Sequence, residues 1–178
     1  MARLIGNIDA TGSLSTSVPA PATNASSVSL YVPYDSSLND TSANGHIGTA
    51  VGNAALSSTQ SKFGGSSLYL DGTGDLVTYP RDTSFQLAAE DHTIEAWVYR
   101  TSNVALGVIA AQWTGSGNRR SFILRFENHV PAFYWSTSGS SYSSRVFSDL
   151  TSSLNTWHHI SFVRSGSSGF CFLDGVKS

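Results

Sequence analysis

Charged residues are scarce in this chain. They make up only 12% of the 178 residues, about half the usual share for a soluble domain. The formal net charge is -2 and no run of basic residues occurs, which argues against nucleic-acid binding as the main role. Because helix surfaces usually carry Glu and Lys, the same scarcity favours strands over helices.

Cysteine and long apolar runs are also missing. Cys171 is alone, which excludes an internal disulfide and a cysteine-based zinc site, and we expect it to be a small buried residue in a strand. No apolar stretch approaches the ~20 residues of a membrane-spanning helix, so we predict no membrane insertion. The opening MARLIGNIDATGS lacks the apolar stretch of a secretory signal peptide, and we expect synthesis without that signal.

Paired catalytic carboxylates are a third absence. Glu95 is isolated in TIEAWVY, and the remaining glutamates are Glu90 and Glu127. Glycosidases use two carboxyl groups roughly 5–9.5 Å apart, and no closely spaced pair of glutamates occurs here. The chain also lacks the Gly-x-Ser-x-Gly turn of many serine hydrolases. We therefore predict that the protein is not an enzyme.

The residues that are present suit one domain with an appendage. Hydrophobic residues make up 40% of the chain, enough for a sizeable core. Residues 1–28 differ, because Ser, Thr, Ala and Pro dominate after a few apolar residues. We predict an extended N-terminal arm there, which is either a docking segment for a larger assembly or a disordered tail.

From Val28 onwards, short runs of β-branched and aromatic residues alternate with turn residues, which predicts an all-β, two-sheet antiparallel sandwich. One helical turn is expected within Ser84–Glu90. In Ser121–Glu127, Phe122, Leu124 and Phe126 share one face. The predicted strands are Val28–Tyr34, Ala54–Leu56, Ser67–Leu70, Leu76–Tyr79 (after the DGTGD turn), Thr93–Tyr99, Val104–Gln112, Ser121–Glu127, Pro131–Ser136, Ser143–Phe147, Trp157–Arg164 and Gly169–Leu173.

Two tryptophan-bearing runs, DHTIEAWVYR and TWHHISFVR, have the strongest strand signal. We predict that Trp97 and Trp157 belong to the core. His158 and His159 are adjacent, so they point to opposite faces of their strand. We expect His159 to be a hydrogen-bonded structural residue and not a zinc ligand.

Four segments together resemble the laminin-G-like, concanavalin-A-like jelly roll, in its bacterial and phage branch. They are KFGGSSLYLDGTGDLVTYP, HTIEAWVYR, NTWHHISFVRSG and FLDGVKS. The resemblance implies such a fold over residues 29–178. The family continues past its Asp-Gly-Val turn with a return strand, so we expect the jelly roll to be incomplete at its C-terminal end, unless a partner chain supplies the missing strands. The fold serves lectins, adhesins, carbohydrate-binding modules and virion proteins alike.

The loop NDTSANG, residues 39–45, is a candidate calcium site. Calcium prefers carboxylate, amide and carbonyl oxygens on loops, and the resemblance implies a structural calcium near an early loop. The candidate ligands are Asp40 and Asn44. The alternative is that these residues form Asx turns and need no ion.

A sugar site would need exposed aromatic rings beside polar side chains. Tyr134 and Trp135 are neighbours in a strand, so only one of them can face the core. The candidate ligand-binding residues are Trp113, Asn118, Arg120, Arg125, Tyr134 and Tyr142.

We interpret the chain as a non-enzymatic bacteriophage virion protein (a tail fibre, capsid fibre or decoration protein) that displays a lectin-like sandwich. Expected partners are other virion proteins through residues 1–28, cell-surface glycans and further copies of the chain. The expected location is the virion, assembled in the host cytoplasm; the alternative is the bacterial cell surface or the extracellular space. Two other functions remain open: a carbohydrate-binding module of a bacterial adhesin or glycosidase, and a purely structural packing domain.

Overall fold

The computed structural model describes residues 2–3, 27–85, 87, 90–114 and 119–178, with only the backbone for residues 2–3. The described residues form short strands, with a 3-10 turn at Thr83–Phe85. The predicted all-β fold is therefore confirmed. The strands are β1 (Ala2–Arg3), β2 (Thr49–Val51), β3 (Ala55–Ser57), β4 (Ser67–Tyr69), β5 (Leu76–Thr78), β6 (His92–Tyr99), β7 (Gly107–Gln112), β8 (Phe122–Glu127), β9 (Val130–Trp135), β10 (Ser143–Val146), β11 (Trp157–Ser165), β12 (Ser168–Leu173) and β13 (Val176–Lys177).

The chain divides into two compact units, residues 1–81 and residues 82–178. The arm predicted for residues 1–28 falls almost entirely outside the described residues. No helix among the described residues is long and apolar enough to cross a membrane.

In the first unit, β2 pairs with β5 and β3 pairs with β4, both antiparallel. The strands on either side of the DGTGD turn thus pair with earlier strands and not with each other. Val32, Tyr34, Ala54 and Leu68 form the buried core of this unit.

The strand predicted for Val28–Tyr34 is wrong. Its backbone hydrogen bonds go to a nearby loop instead of a neighbouring strand: the Tyr31 amide donates to Asp40 Oδ1 at 2.9 Å, and its carbonyl accepts from the Thr41 amide at 2.8 Å. Pro33 has no amide hydrogen, and Tyr34 has a left-handed backbone with φ 59°. Val32 and Tyr34 are nevertheless buried, so the apolar positions are core residues on an irregular segment.

The second unit contains two antiparallel sheets. One has the order β10-β9-β8-β7, and in the other β11 lies between β6 and β12, with β13 beyond β12. Their inner faces meet where Phe133 of β9 stacks on Phe162 of β11, with ring centroids 3.5 Å apart and an interplanar angle of 10°. Leu124 and Phe126 are buried on the inner face of β8, as its alternation predicts.

The prediction that Trp97 and Trp157 are core residues is wrong. Ile94, Ala96 and Val98 occupy the buried face of β6, so Trp97 must point outward because successive side chains alternate. Trp157 lies opposite Tyr99 in the β6–β11 pairing and shares that outer face. Both tryptophans are half-buried.

Cys171 lies on the inner face of β12, opposite Phe162. It is fully buried and unpaired, as predicted for a small apolar residue. Burial raises the pKa of its thiol to about 12, so it stays protonated and unreactive at neutral pH.

Candidate functional site

The outer face of the β10-β9-β8-β7 sheet gathers aromatic rings and arginines. The register of β8 and β9 places Tyr134 opposite Ile123, and Arg125 opposite Ala132, so Tyr134 and Arg125 share the outer face. Trp135 lies opposite Phe122 on the inner face. The expectation that only one of Tyr134 and Trp135 faces the core is therefore met.

Arg125 covers the Tyr134 ring. Its guanidinium carbon is 4.1 Å from the ring centroid, a cation–π contact. Arg125 Nη2 and the Tyr134 hydroxyl both donate to Glu127 Oε1, each at 2.6 Å. The Tyr134 hydrogen bond and then the Arg125 contacts lower the pKa of Glu127, and the same Tyr134–Glu127 hydrogen bond raises the pKa of Tyr134.

The second half of the surface lies where β7 and β10 meet their loops. Trp113 and Tyr142 pack edge to face with ring centroids 5.4 Å apart. The guanidinium of Arg120 lies 5.8 Å from the Trp113 centroid and 6.0 Å from that of Tyr142, and it donates to the Ser140 carbonyl. Tyr142 is also 5.8 Å from Tyr134, which joins the two halves.

The structure thus brings together five of the six predicted ligand-binding residues, namely Trp113, Arg120, Arg125, Tyr134 and Tyr142; we call them the aromatic surface. Asn118 lies outside the described residues. Tyr142 has 56% of its surface exposed, whereas Trp113 and Tyr134 are half-buried. Tyr142 is therefore the ring best placed to contact a ligand, and Arg125 with Glu127 holds Tyr134 beside it.

Glu127 is the member of this network that sequence reasoning missed. It lies two residues after Arg125, and this spacing places both side chains on one face of a strand. The spacing could therefore have predicted that Glu127 lies beside Arg125. Sequence reasoning weighed it as a possible catalytic carboxylate and did not include it among the ligand-binding candidates.

Asp40 organises its loop through hydrogen bonds. Its carboxylate accepts from the amides of Tyr31, Ser42 and His46 and from the Ser42 hydroxyl, at 2.7–3.3 Å. The Asn44 side chain is not hydrogen-bonded to Asp40: its amide nitrogen donates to the Ser29 carbonyl at 3.0 Å, while the Asn44 backbone amide donates to the Ser42 hydroxyl at 3.2 Å.

N–H and O–H groups converge on the Asp40 oxygens, which is the arrangement of the Asx-turn alternative. In the part of the chain that the structure describes, no group of three or more His, Cys, Asp or Glu side chains is arranged to hold a metal ion. Calcium at Asp40 and Asn44 stays a prediction.

The outer face of β6 and β11 carries a different cluster. His159 Nε2 is 3.1 Å from Glu95 Oε2, and the His159 ring packs on Trp97 with centroids 5.3 Å apart. His159 is therefore the hydrogen-bonded residue that was expected. Glu95 is engaged with a histidine and not with a second carboxylate.

A series of hydrogen bonds that no sequence pattern indicated connects Ser153, His158 and Asp174. His158 Nδ1 is 2.6 Å from Asp174 Oδ2, and its Nε2 is 3.0 Å from the Ser153 hydroxyl. These are the contacts of a nucleophile–base–acid triad. However, the same Nε2 also accepts the Ser153 amide at 3.1 Å, so its single lone pair is shared. Asp174 further accepts the His159 amide at 2.8 Å. We interpret these hydrogen bonds as a structural clamp, which connects the β12–β13 turn to the start of β11.

Comparison with known proteins adds a family and a structural neighbour. Residues 71–178 match the model of the concanavalin A-like lectin/glucanases superfamily. A crystal structure of the binding domain of Paraclostridial Mosquitocidal Protein 1 aligns with a TM-score of 0.59 at 13% identity, over 78% of this chain and 36% of that chain. The chain thus spans about a third of that neighbour's length, and at this identity the likeness shows the fold alone. Comparison with curated proteins gives no match. Because the family match covers more than half of its residues, this chain belongs to the concanavalin A-like lectin/glucanases superfamily, as a lectin-like β-sandwich.

Proposed function

We propose that this protein is a non-enzymatic glycan-binding module, and that the aromatic surface is where the glycan binds. The observation that carries this proposal is the contact of Trp113, Tyr142 and Arg120 at the strand ends of one sheet. Sugar rings have an apolar C–H face that packs on an aromatic ring, and their hydroxyl groups bond to polar side chains beside it. This surface offers both.

The roles within the aromatic surface follow from exposure. Tyr142 offers the ring against which a sugar packs, and its partner Trp113 fixes its orientation by edge-to-face contact. Arg120 lies over both rings and provides N–H donors that sugar hydroxyls can use. Arg125 and Glu127 are positioning residues, because each is already engaged with Tyr134.

A non-catalytic role is supported by the placement of the glutamates. Glu95 lies on the outer face of β6 and Glu127 on the outer face of β8, on opposite sides of the sandwich. Two carboxyls so placed cannot flank one glycosidic bond. The shared lone pair of His158 likewise argues against activation of Ser153.

The proposed setting is a bacteriophage virion, as a tail-fibre, capsid-fibre or decoration protein that attaches to host-surface glycans. Residues 1–28 would dock on other virion proteins, and several copies would gain avidity for weak glycans. The Ser-, Thr- and Ala-rich composition of residues 1–28, which is typical of an extended arm, supports this setting. A structural neighbour that is named a binding domain is consistent with a binding role. Electron microscopy of the native assembly tests the setting directly.

Glycan-array binding tests the glycan proposal. We expect Tyr142→Ala and Trp113→Ala each to weaken binding at least about fivefold, since loss of a stacked ring costs of order 1–3 kcal/mol. Tyr69→Ala is the matched control, because Tyr69 is a similarly exposed tyrosine (45%) outside the aromatic surface. No binding by the wild-type protein, or equal loss in all three variants, contradicts the proposal.

A further inference from the structure

A cavity of about 260 Å³ lies between the two sheets of the second unit, on the other side of the β8–β9 pair from the aromatic surface. Phe133 and Phe162, stacked at 3.5 Å, form part of its lining. Trp135 adds a further wall, with its ring centroid 6.2 Å from that of Phe133. Drug-sized ligands occupy ~300–1,000 Å³, so this space suits one small ring.

Gly169 shapes the cavity. A side-chain carbon at this position would come within 2.8 Å of the Phe162 ring, so a larger residue would push that ring out of place. The absent side chain therefore lets Phe162 lie flat against Phe133, and both rings remain part of the lining.

Hydrogen-bonding groups line the rest of the cavity. The lining includes the hydroxyl residues Ser121, Ser136, Thr137, Ser167 and Ser168. His92 also borders it. Because His92 Nδ1 lies 2.9 Å from the Glu90 carbonyl, that nitrogen carries the hydrogen, and Nε2 is left as an acceptor. Nε2 is buried with no hydrogen-bond partner among the described residues. A ligand hydroxyl would supply the donor that this lone pair lacks.

The formally charged residues among the described lining of the cavity are all positive. Arg145 and Arg164 both border the cavity, and none of its described lining residues is acidic. Arg164 Nε donates to the Gly166 carbonyl at 3.0 Å. Arg145 is exposed on β10 and its guanidinium stacks on the Phe147 ring at 4.8 Å, but this guanidinium makes no hydrogen bond or ion pair to another described residue. Its guanidinium can therefore donate two N–H groups to a carboxylate in the bidentate geometry that arginine favours.

We propose that this cavity binds the ring of a single carboxylated sugar, such as a terminal uronic acid, with its carboxylate on Arg145. The C–H face of the sugar packs on Trp135, and its hydroxyl groups meet the serine side chains and His92. The proposal goes beyond the glycan-binding role of the aromatic surface and does not rest on it, because the two sites lie on opposite faces of one sheet.

The lining favours a sugar acid over two related ligands. A neutral sugar would leave Arg145 without a counter-charge. An aromatic carboxylate would satisfy Arg145 but would leave the His92 lone pair without a donor and would make no hydrogen bond to the hydroxyl groups of the lining. A sugar acid offers a carboxylate to Arg145, a hydroxyl donor to His92 and further hydroxyl groups to the serine side chains.

The test is an NMR titration of the full 178-residue chain with D-glucuronate, D-glucose and benzoate. We expect glucuronate to give saturable shifts of the backbone signals of Ser167–Gly169 and Ser136. The signals of Tyr142 should stay in place, which separates this site from the aromatic surface. Glucuronate should bind at least about tenfold more tightly than glucose, the size expected for a hydrogen-bonded charge. Equal affinity for glucose, binding of benzoate alone, shifts confined to Tyr142, or no shifts would each overturn the proposal.

Variants locate the carboxylate. Arg145→Gln should remove the preference of the protein for glucuronate over glucose. Arg81→Gln is the control, because Arg81 is an exposed arginine that does not line the cavity. If Arg145→Gln does not fold, Arg145→Lys keeps the charge and should retain the preference with weaker binding. Unchanged glucuronate binding in whichever Arg145 variant folds would overturn the assignment.

Discussion

The two outer faces of the sandwich both carry aromatic rings, yet they are built differently. On β6 and β11, the rings pair across neighbouring strands: Trp97 lies opposite His159, and Tyr99 opposite Trp157. Those pairs have ring centroids 5.3 and 5.5 Å apart. We call this side the Trp97 face. Cross-strand pairs of this kind stabilise a sheet.

The aromatic surface lacks that internal pairing. Trp113 and Tyr142 come from segments that flank the strands, and their neighbours include guanidinium groups as well as rings. Aromatic content alone therefore does not distinguish a binding face from a structural one. The difference lies in whether the rings stack on cross-strand partners or lie at strand ends beside cations.

The largest effect on stability should come from a substitution in the core between the two sheets. Phe162 stacks on Phe133 and is buried, so Phe162→Ala should reduce the free energy of unfolding by about 3–5 kcal/mol. Val163→Ala is the control: Val163 is the next residue, lies on the outer side and is only half-buried, so its loss should cost about 1 kcal/mol. Urea unfolding of both variants provides the measurement, and similar costs for the two would contradict this picture of the core.

A crossed pair of variants tests the difference between the faces. Trp97→Ala should reduce the free energy of unfolding by about 1–3 kcal/mol, because a half-buried ring loses its cross-strand contact, while glycan binding is retained. Tyr142→Ala should do the reverse, with a stability change within about 0.5 kcal/mol for an exposed residue and loss of glycan binding. The comparison between the faces is wrong if Trp97→Ala abolishes binding in a protein that remains folded.

The residues that sequence reasoning placed well are those whose side is set by strand alternation. Phe122, Leu124 and Phe126 share one side of β8, and Tyr134 and Trp135 point to opposite sides of β9, because a strand has a period of two. The same rule would have turned Trp97 outward, since Ile94, Ala96 and Val98 fill the inner face. The interpretation of Trp97 as core followed from its size and not from its position.

The remaining errors and omissions depend on contacts between distant segments. The irregular course of Val28–Tyr34 follows from Asp40 and Thr41, whose hydrogen bonds replace a strand partner. The six ligand-binding candidates were chosen for their chemistry, and the packing of Trp113 on Tyr142 was not foreseen. The clamp of Ser153, His158 and Asp174 joins three segments, and no local spacing indicates it.

Substitution of Asp174 in that clamp should have an effect of intermediate size on stability. Asp174 has φ 51° in the β12–β13 turn and accepts hydrogen bonds from His158 and His159. Asp174→Ala should lower the free energy of unfolding by about 1–2 kcal/mol, through lost hydrogen bonds and an unfavourable left-handed alanine. Asp174→Asn should cost less, because Asn tolerates this backbone and still accepts the His159 amide. Thermal unfolding of both variants measures the difference; a larger loss for Asn would contradict the clamp.

The smallest predicted effect concerns Glu127, the carboxylate of the aromatic surface. Its pKa is lowered in the folded state by the Tyr134 hydroxyl and by Arg125. A carboxylate with a depressed pKa adds stability above its unfolded pKa of about 4.3, and this stability is lost as the pH falls through the folded-state pKa. The stability advantage of the wild type over Glu127→Gln should therefore be full near pH 6 and should shrink towards pH 3.

The urea unfolding midpoints of the two proteins over this pH range measure this advantage. Glu127→Gln is a close control, because the amide oxygen still accepts the Tyr134 hydroxyl while the titration is removed. A difference that stays constant with pH would mean that the Tyr134 and Arg125 contacts do not favour the charged form of Glu127 over its protonated form.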